Sequence, residues 1–225
     1  MTTFQLIALL LTAIWLLLVV IRFRRSGVVL IGGLGVIGAY TLAALIYGKV
    51  TPFELGLGRP AVWLSTIGFA VAGLGVLLAY SPLADRLATR WFARPPTLEA
   101  FGVLQKSKAN LIAGIAAAWL LGGILEELIA RGIVLKTLES LLINCLNAPL
   151  AVGLAICIAA TGAGLMHFYQ GARAMAIITQ LSILLGILFV VSGYNLWAVM
   201  ACHGLYDTIA FVRFATKRSK YSALA

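Results

Sequence analysis

Residues 119–132 read Trp119-Leu-Leu-Gly-Gly-Ile-Leu-Glu126-Glu127-Leu-Ile-Ala-Arg131-Gly132. An apolar run leads straight into two carboxylates, and a cation follows the second at i,i+4. An ionisable group at the centre of a bilayer costs about 2.5–3.5 kcal/mol on insertion scales, so such a segment either lies in water or marks the working part of a membrane protein. Composition decides between the two. Of the 225 residues, 62% are hydrophobic and 11% charged, with a mean hydropathy of +1.05. A typical soluble domain has about 45–50% and about 25%. A soluble globule of this length could not cover so much apolar surface with polar groups. That excludes a water-soluble enzyme, a disordered chain and a nucleic-acid-binding module. The chain reads as an all-α, polytopic transmembrane helix bundle whose constant partner is the lipid bilayer.

Working outward, stretches of about 20 apolar residues, enough for a hydrocarbon core of about 30 Å, recur at 4–21, 28–48, 61–80, 109–130, 149–167, 174–192 and 195–212. About seven spans use most of the chain. The expected division is 1–96, N-terminal helices with a basic interfacial segment, and 97–225, the functional membrane core. Residues 1–5 lack Lys and Arg, and Arg22, Arg24 and Arg25 follow the first apolar run. The run therefore reads as an anchor and not as a cleaved signal. In the polar stretch 81–108, Leu83, Leu87 and Trp91 recur on one face and Arg86, Arg90 and Arg94 on another. This predicts a short helix in the headgroup layer, ended by Pro95-Pro96. The net charge of +10 is distributed unevenly. With the N-terminus outside, 13 of the 17 Lys and Arg fall on the inner side, which favours N-out, C-in. Cys145, Cys157 and Cys202 form neither a disulfide framework nor a CxxC pair and read as packing residues.

Within the apolar runs, ionisable groups are few: Glu126, Glu127 and Arg131, His167 at the end of the fifth run, and His203 with Asp207 inside the seventh. These include both histidines and three of the seven acids. Glu127 and Arg131 have the favourable acid-before-base i,i+4 order, which lowers the cost of burying both. Glu126 points about 100° away on an α-helix and is left free in a desolvated setting, where it could act as a general base. His203 and Asp207 are also i,i+4. Such a set can activate water and stabilise an oxyanion, hold a divalent metal through His, His and carboxylate, relay protons in a carrier, or simply tie helices together. HExxH, GxSxG and P-loop motifs are absent from the sequence, so zincin, serine hydrolase and NTPase readings have no support.

Three short motifs occur in order. Glu126-Glu127-Leu128-Ile129-Ala130-Arg131 resembles the EExxxR signature of the CAAX-processing and bacteriocin-processing (CPBP, or Abi) intramembrane proteases. Ala163-Gly164-Leu165-Met166-His167 resembles their FxxxH motif, and His203-Gly204-Leu205-Tyr206-Asp207 their HxxxN or HxxxD motif. The resemblance covers roughly 97–212 and implies a CAAX-protease-like catalytic core, a glutamic intramembrane endopeptidase that needs no metal or other cofactor. Its substrate would be a membrane-anchored or lipidated protein or peptide. Glu126 and His167 would activate water. Glu127, held by Arg131, would shape the site, and His203 and Asp207 would stand where the oxyanion is stabilised. An ionised Asp cannot donate to an oxyanion, so Asp207 is expected to orient His203. Family members include scaffolds as well as proteases, so a non-catalytic immunity or partner-binding protein is the alternative, ahead of a transporter, for which no inverted repeat is visible. Two positions depart from the pattern: Ala163 replaces the usual Phe, and Ala130 replaces an aromatic often found before the arginine. A multispanning chain of this kind suits a bacterial cytoplasmic (inner) membrane.

One geometric tension follows. A fourth span beginning at Asn110 puts Glu126 about 24 Å along it, on the side opposite His167. A span over 119–142 brings Glu126 to about 10 Å from the inner side, level with His167, and makes 97–118 a tilted or partly interfacial helix.

Overall fold

The computed structural model describes residues 2–21 and 26–222, apart from the side chains of residues 26 and 217–222. Arg22, Arg24 and Arg25, and the side chains of Lys217, Arg218 and Lys220, on which part of the charge asymmetry rests, lie outside the described residues. Seven long helices follow in order: α1 (Thr3–Ile21), α2 (Ser26–Ile46), α3 (Trp63–Trp91), α4 (Lys108–Leu142), α5 (Ala148–Met166), α6 (Ala172–Val191) and α7 (Leu196–Ser222). Short 3-10 segments at Glu99–Gln105 and Phe168–Gln170 precede α4 and α6. Among the described residues there is no strand.

The protein is an all-α membrane bundle. Six helices, α1 to α6, are long and apolar enough to cross a bilayer. Helix α7 occupies the seventh expected span, where His203, Asp207 and Arg213 interrupt the apolar run. It packs against α3, α4 and α6, which leaves His203 and Asp207 half-buried, whereas Arg213, further along, is exposed. The densest packing joins α5 to α6. Helix α5 turns a face of Ala151, Ala155, Ala159 and Ala163 inward, and such small side chains allow backbones to approach closely. Helix α1 packs on α2 through Phe4, stacked on Tyr40 at 5.5 Å, and Trp15, whose indole Nε1 donates to the Val29 carbonyl at 3.0 Å.

Two expectations change. Residues 81–91 are not a separate headgroup helix: α3 runs unbroken through Pro82 to Trp91. The missing proline N–H is outweighed by tertiary contact. Ala84 and Ala88 are buried, and Asp85 accepts from Arg173 of α6 at 2.7–2.9 Å. Leu83 and Trp91, on the face expected to pack, are 47% and 83% exposed. The fourth span is likewise neither 109–130 nor 119–142 but one 35-residue helix containing both. It starts on a Ser107 cap, whose hydroxyl accepts from Asn110 N at 3.1 Å. Residues 97–118 therefore form no independent tilted helix. Over Trp119–Glu126 and Leu128–Leu135, α4 widens to i→i+5 winding, a local form that recurs at functional positions.

Candidate active site

The wider turns of α4 reduce the angle between successive side chains, and both glutamates face inward: Glu126 is 9% and Glu127 0% exposed. Around them α4 is enclosed on every side, since Leu128, Ile129, Ala130, Arg131, Gly132 and Ile133 are all buried. The tightest neighbour is α7. At the crossing Gly123 faces Gly204, with room for so little that a Cβ on Gly123 would lie 3.3 Å from Gly204 Cα. A Cβ on Gly204 would strike the Trp119 ring at 2.5 Å, and the indole Nε1 of Trp119 donates to Thr208 Oγ1 at 3.0 Å. The three glycines Gly122, Gly123 and Gly204 thus set the separation at which α7 presents its polar face.

On that face His203 Nδ1 lies 2.6 Å from Glu127 Oε1. A carboxylate oxygen only accepts, so Nδ1 is a protonated nitrogen. His203 Nε2 then faces Asp207 Oδ2 at 3.5 Å, beside Gly122, where a Cβ would come within 2.9 Å of that same oxygen. The group that orients the His203 ring is therefore Glu127, from another helix. Asp207, the expected orienter, instead sits beside Nε2, the nitrogen that points outward. Glu127 Oε1 also accepts from Arg131 Nη1 at 3.0 Å, the pair expected from the spacing. The other guanidinium nitrogen, Nη2, donates to Ser182 of α6, to its carbonyl at 2.8 Å and to its hydroxyl.

His167 enters from the opposite side. It caps α5, one turn after Gly164, whose missing side chain admits Thr179 and the Met175 carbonyl of α6. His167 Nδ1 contacts the Ala163 carbonyl at 3.0 Å, and since a carbonyl only accepts, Nδ1 is the protonated nitrogen. Nε2 then points at Glu126 Oε1 across 4.0 Å. The earlier tension dissolves because Glu126 is midway along a helix much longer than α5, so the middle of one is level with the end of the other.

Both groups open onto a cavity of about 640 Å³, walled largely by apolar side chains of α2, α4, α6 and α7 and roofed by Pro96, Leu98 and Phe101. Thr97 N donates to the Gln170 carbonyl at 2.9 Å, tying that roof to the α5–α6 connection. Ala163 lines the cavity whereas Ala130 does not, so the first departure from the family pattern enlarges the chamber and the second affects packing alone. The Tyr169 hydroxyl accepts from Gln170 Nε2 at 2.7 Å, and burial holds it above its ordinary range, which keeps it a donor.

The structure brings Glu126, Arg131, His167, His203 and Asp207 to the wall of one chamber, with the fully buried Glu127 behind it, between His203 and Arg131. Sequence reasoning missed Ser182, Tyr169 and the spacing role of Gly122, Gly123 and Gly204. The Gly-Gly doublet ahead of the glutamates and the glycine after His203 were available signals; nothing distinguished Ser182. Among the described residues no three His, Cys, Asp or Glu groups are arranged to hold a metal ion.

Residues 108–209 match the family described as "Type II CAAX prenyl endopeptidase Rce1-like". No curated protein and no solved structure gives a match. The matched stretch runs from the first residue of α4 past Asp207 and contains every group of the polar network just described. Over this membrane core, 108–209, just under half of the sequence, the chain is similar to the Rce1-like type II CAAX prenyl endopeptidases.

Proposed function

We propose that the protein is an intramembrane endopeptidase that hydrolyses a peptide bond with water activated by Glu126 and His167. The observation that carries this reading is the 4.0 Å gap between Glu126 Oε1 and His167 Nε2 on the wall of a mainly apolar chamber. At hydrogen-bond lengths of about 2.7–2.8 Å on each side, a water can bridge the two. Glu126 takes a proton as the water oxygen bonds to the scissile carbonyl carbon. His203, acting as an imidazolium between Glu127 and Asp207 with both ring nitrogens protonated, donates from Nε2 to the developing oxyanion. The C–N bond then breaks, the proton passes to the leaving amine, and a carboxylate and an amine result. Glu127 and Arg131 hold His203 and take no part in proton transfer.

The apolar walls suit a membrane-anchored or lipidated protein or peptide. The chamber lies toward the end of the bundle that carries the 92–107 and 167–171 connections; with the N-terminus outside, that end faces the cytoplasm of a bacterial inner membrane. The test compares wild type, Glu126→Gln and Glu127→Gln in micelles on a panel of membrane-anchored and lipidated peptides, with and without chelator. Removing a general base costs about 10²–10⁴-fold, so Glu126→Gln should lose that much kcat while folding normally, and chelator should change nothing. Equal cleavage by wild type and Glu126→Gln would overturn the mechanism. Loss on chelation, restored by added zinc, would favour metal-assisted hydrolysis.

A further inference from the structure

The hydrogen bonds behind His203 do not end at Arg131. Arg131 is 3% exposed and Ser182, in the middle of α6, is also 3% exposed. Arg131 Nη2 donates to both the hydroxyl and the carbonyl of Ser182, while Nη1 donates to Glu127 Oε1 at 3.0 Å. The same Oε1 accepts from His203 Nδ1 at 2.6 Å. Glu127 Oε2 is buried with no hydrogen-bond partner among the described residues. One oxygen therefore carries both contacts, and any turn of the carboxylate carries the imidazole with it.

A guanidinium is a rigid planar fork, so pinning Nη2 fixes where Nη1 points. The Ser182 carbonyl also belongs to the α6 backbone ladder; the hydroxyl is the acceptor that ladder does not share. We propose that Ser182 is a positioning residue that fixes His203 through Arg131 and Glu127, although it touches neither histidine. The relay joins α6, α4 and α7 across sequence separations of 51 and 76 residues. Its place in catalysis rests on the protease reading; its effect on His203 does not.

The test uses the full chain in micelles with ¹⁵N-labelled histidine. The protein has two histidines, and His167→Gln identifies the signal of His203. Wild type is expected to show an exchange-protected His203 Nδ1 proton. Ser182→Ala should shift or lose it and lower kcat about tenfold at unchanged KM, the loss expected for one hydrogen bond to a charged group. Ser182→Thr, whose extra methyl has room because Ser182 borders the cavity, should restore both. Ser182→Cys, of similar size but a poor acceptor, should shift the proton in the same direction as alanine and serves if the alanine protein does not fold. An unchanged His203 signal in Ser182→Ala, or a threonine variant that behaves like alanine, overturns the proposal. If wild type cleaves nothing while Ser182→Ala still moves the His203 proton, the protease reading falls and the positioning role stands.

Discussion

Tyr194 has φ 60°, the left-handed region in which a bulky side chain is strained. Strain of this kind costs about 1–3 kcal/mol and persists only where the surroundings over-determine it. Here the ring meets Phe189 edge-on at 5.4 Å, the backbone N–H bonds the Phe189 carbonyl at 2.8 Å, and the hydroxyl donates to Glu139 Oε1 at 2.6 Å. Burial, and then that hydrogen bond, push the Tyr194 hydroxyl up from 10.0 to about 12. A raised pKa means that the folded state binds the proton more tightly than the unfolded chain. The associated stability is fully present below pH 10 and is lost as the pH rises toward about 12. Thermal unfolding of wild type in micelles should therefore fall more steeply over that window than unfolding of Tyr194→Phe, even though the phenylalanine protein starts less stable. Parallel curves would exclude the linkage. The Glu127–Arg131 pair was legible at this scale because i,i+4 spacing is a local property. The contact of Glu127 with His203 was not, because nothing in either motif records its distance from the other.

At the scale of elements, the meeting of α4 and α7 sets the site. Gly204→Ala would place a methyl 2.5 Å from the Trp119 ring, and neither the ring, tethered to Thr208, nor the α7 backbone can yield freely. Overpacking of this sort costs about 1–3 kcal/mol, and the separation of α4 from α7 should carry His203 off Glu127. Gly153, on α5, has nothing within 4 Å of the same position; Gly153→Ala should be neutral or stabilising by up to about 1 kcal/mol. Melting temperature and peptide cleavage measured side by side check this: Gly204→Ala should lose both, Gly153→Ala neither. Most helices could be read from apolar runs, since their bounds follow composition. The two misread elements, α3 beyond residue 80 and the full length of α4, are those whose ends are fixed by partners. Asp85 and Arg173 carry α3 past Pro82. Helix α4 continues past the end of α5 because α7 covers it.

For the whole molecule, the uneven distribution of Lys and Arg makes a prediction about orientation. Cys145 is exposed in the α4–α5 connection, whereas Cys202 is buried. If the N-terminus is outside, a membrane-impermeant maleimide should label Cys145 in intact spheroplasts. A thiol introduced by Ser107→Cys, at the opposite end of α4, should react only after permeabilisation. The reverse pattern would place the chamber on the outer side.

The sequence alone determined that the chain is a membrane helix bundle, where most of its long helices lie, and which scarce ionisable groups interrupt the apolar runs. Burial in lipid penalises each such group where it stands, so the signal is written locally. Only the tertiary structure decided that Glu127 rather than Asp207 orients His203, that Ser182 of α6 completes the relay, and that Ala163 enlarges a chamber. Those facts depend on which faces of separate helices meet. The small residues that permit close contact, Gly122, Gly123, Gly164 and Gly204, carry no mark of the partner they admit.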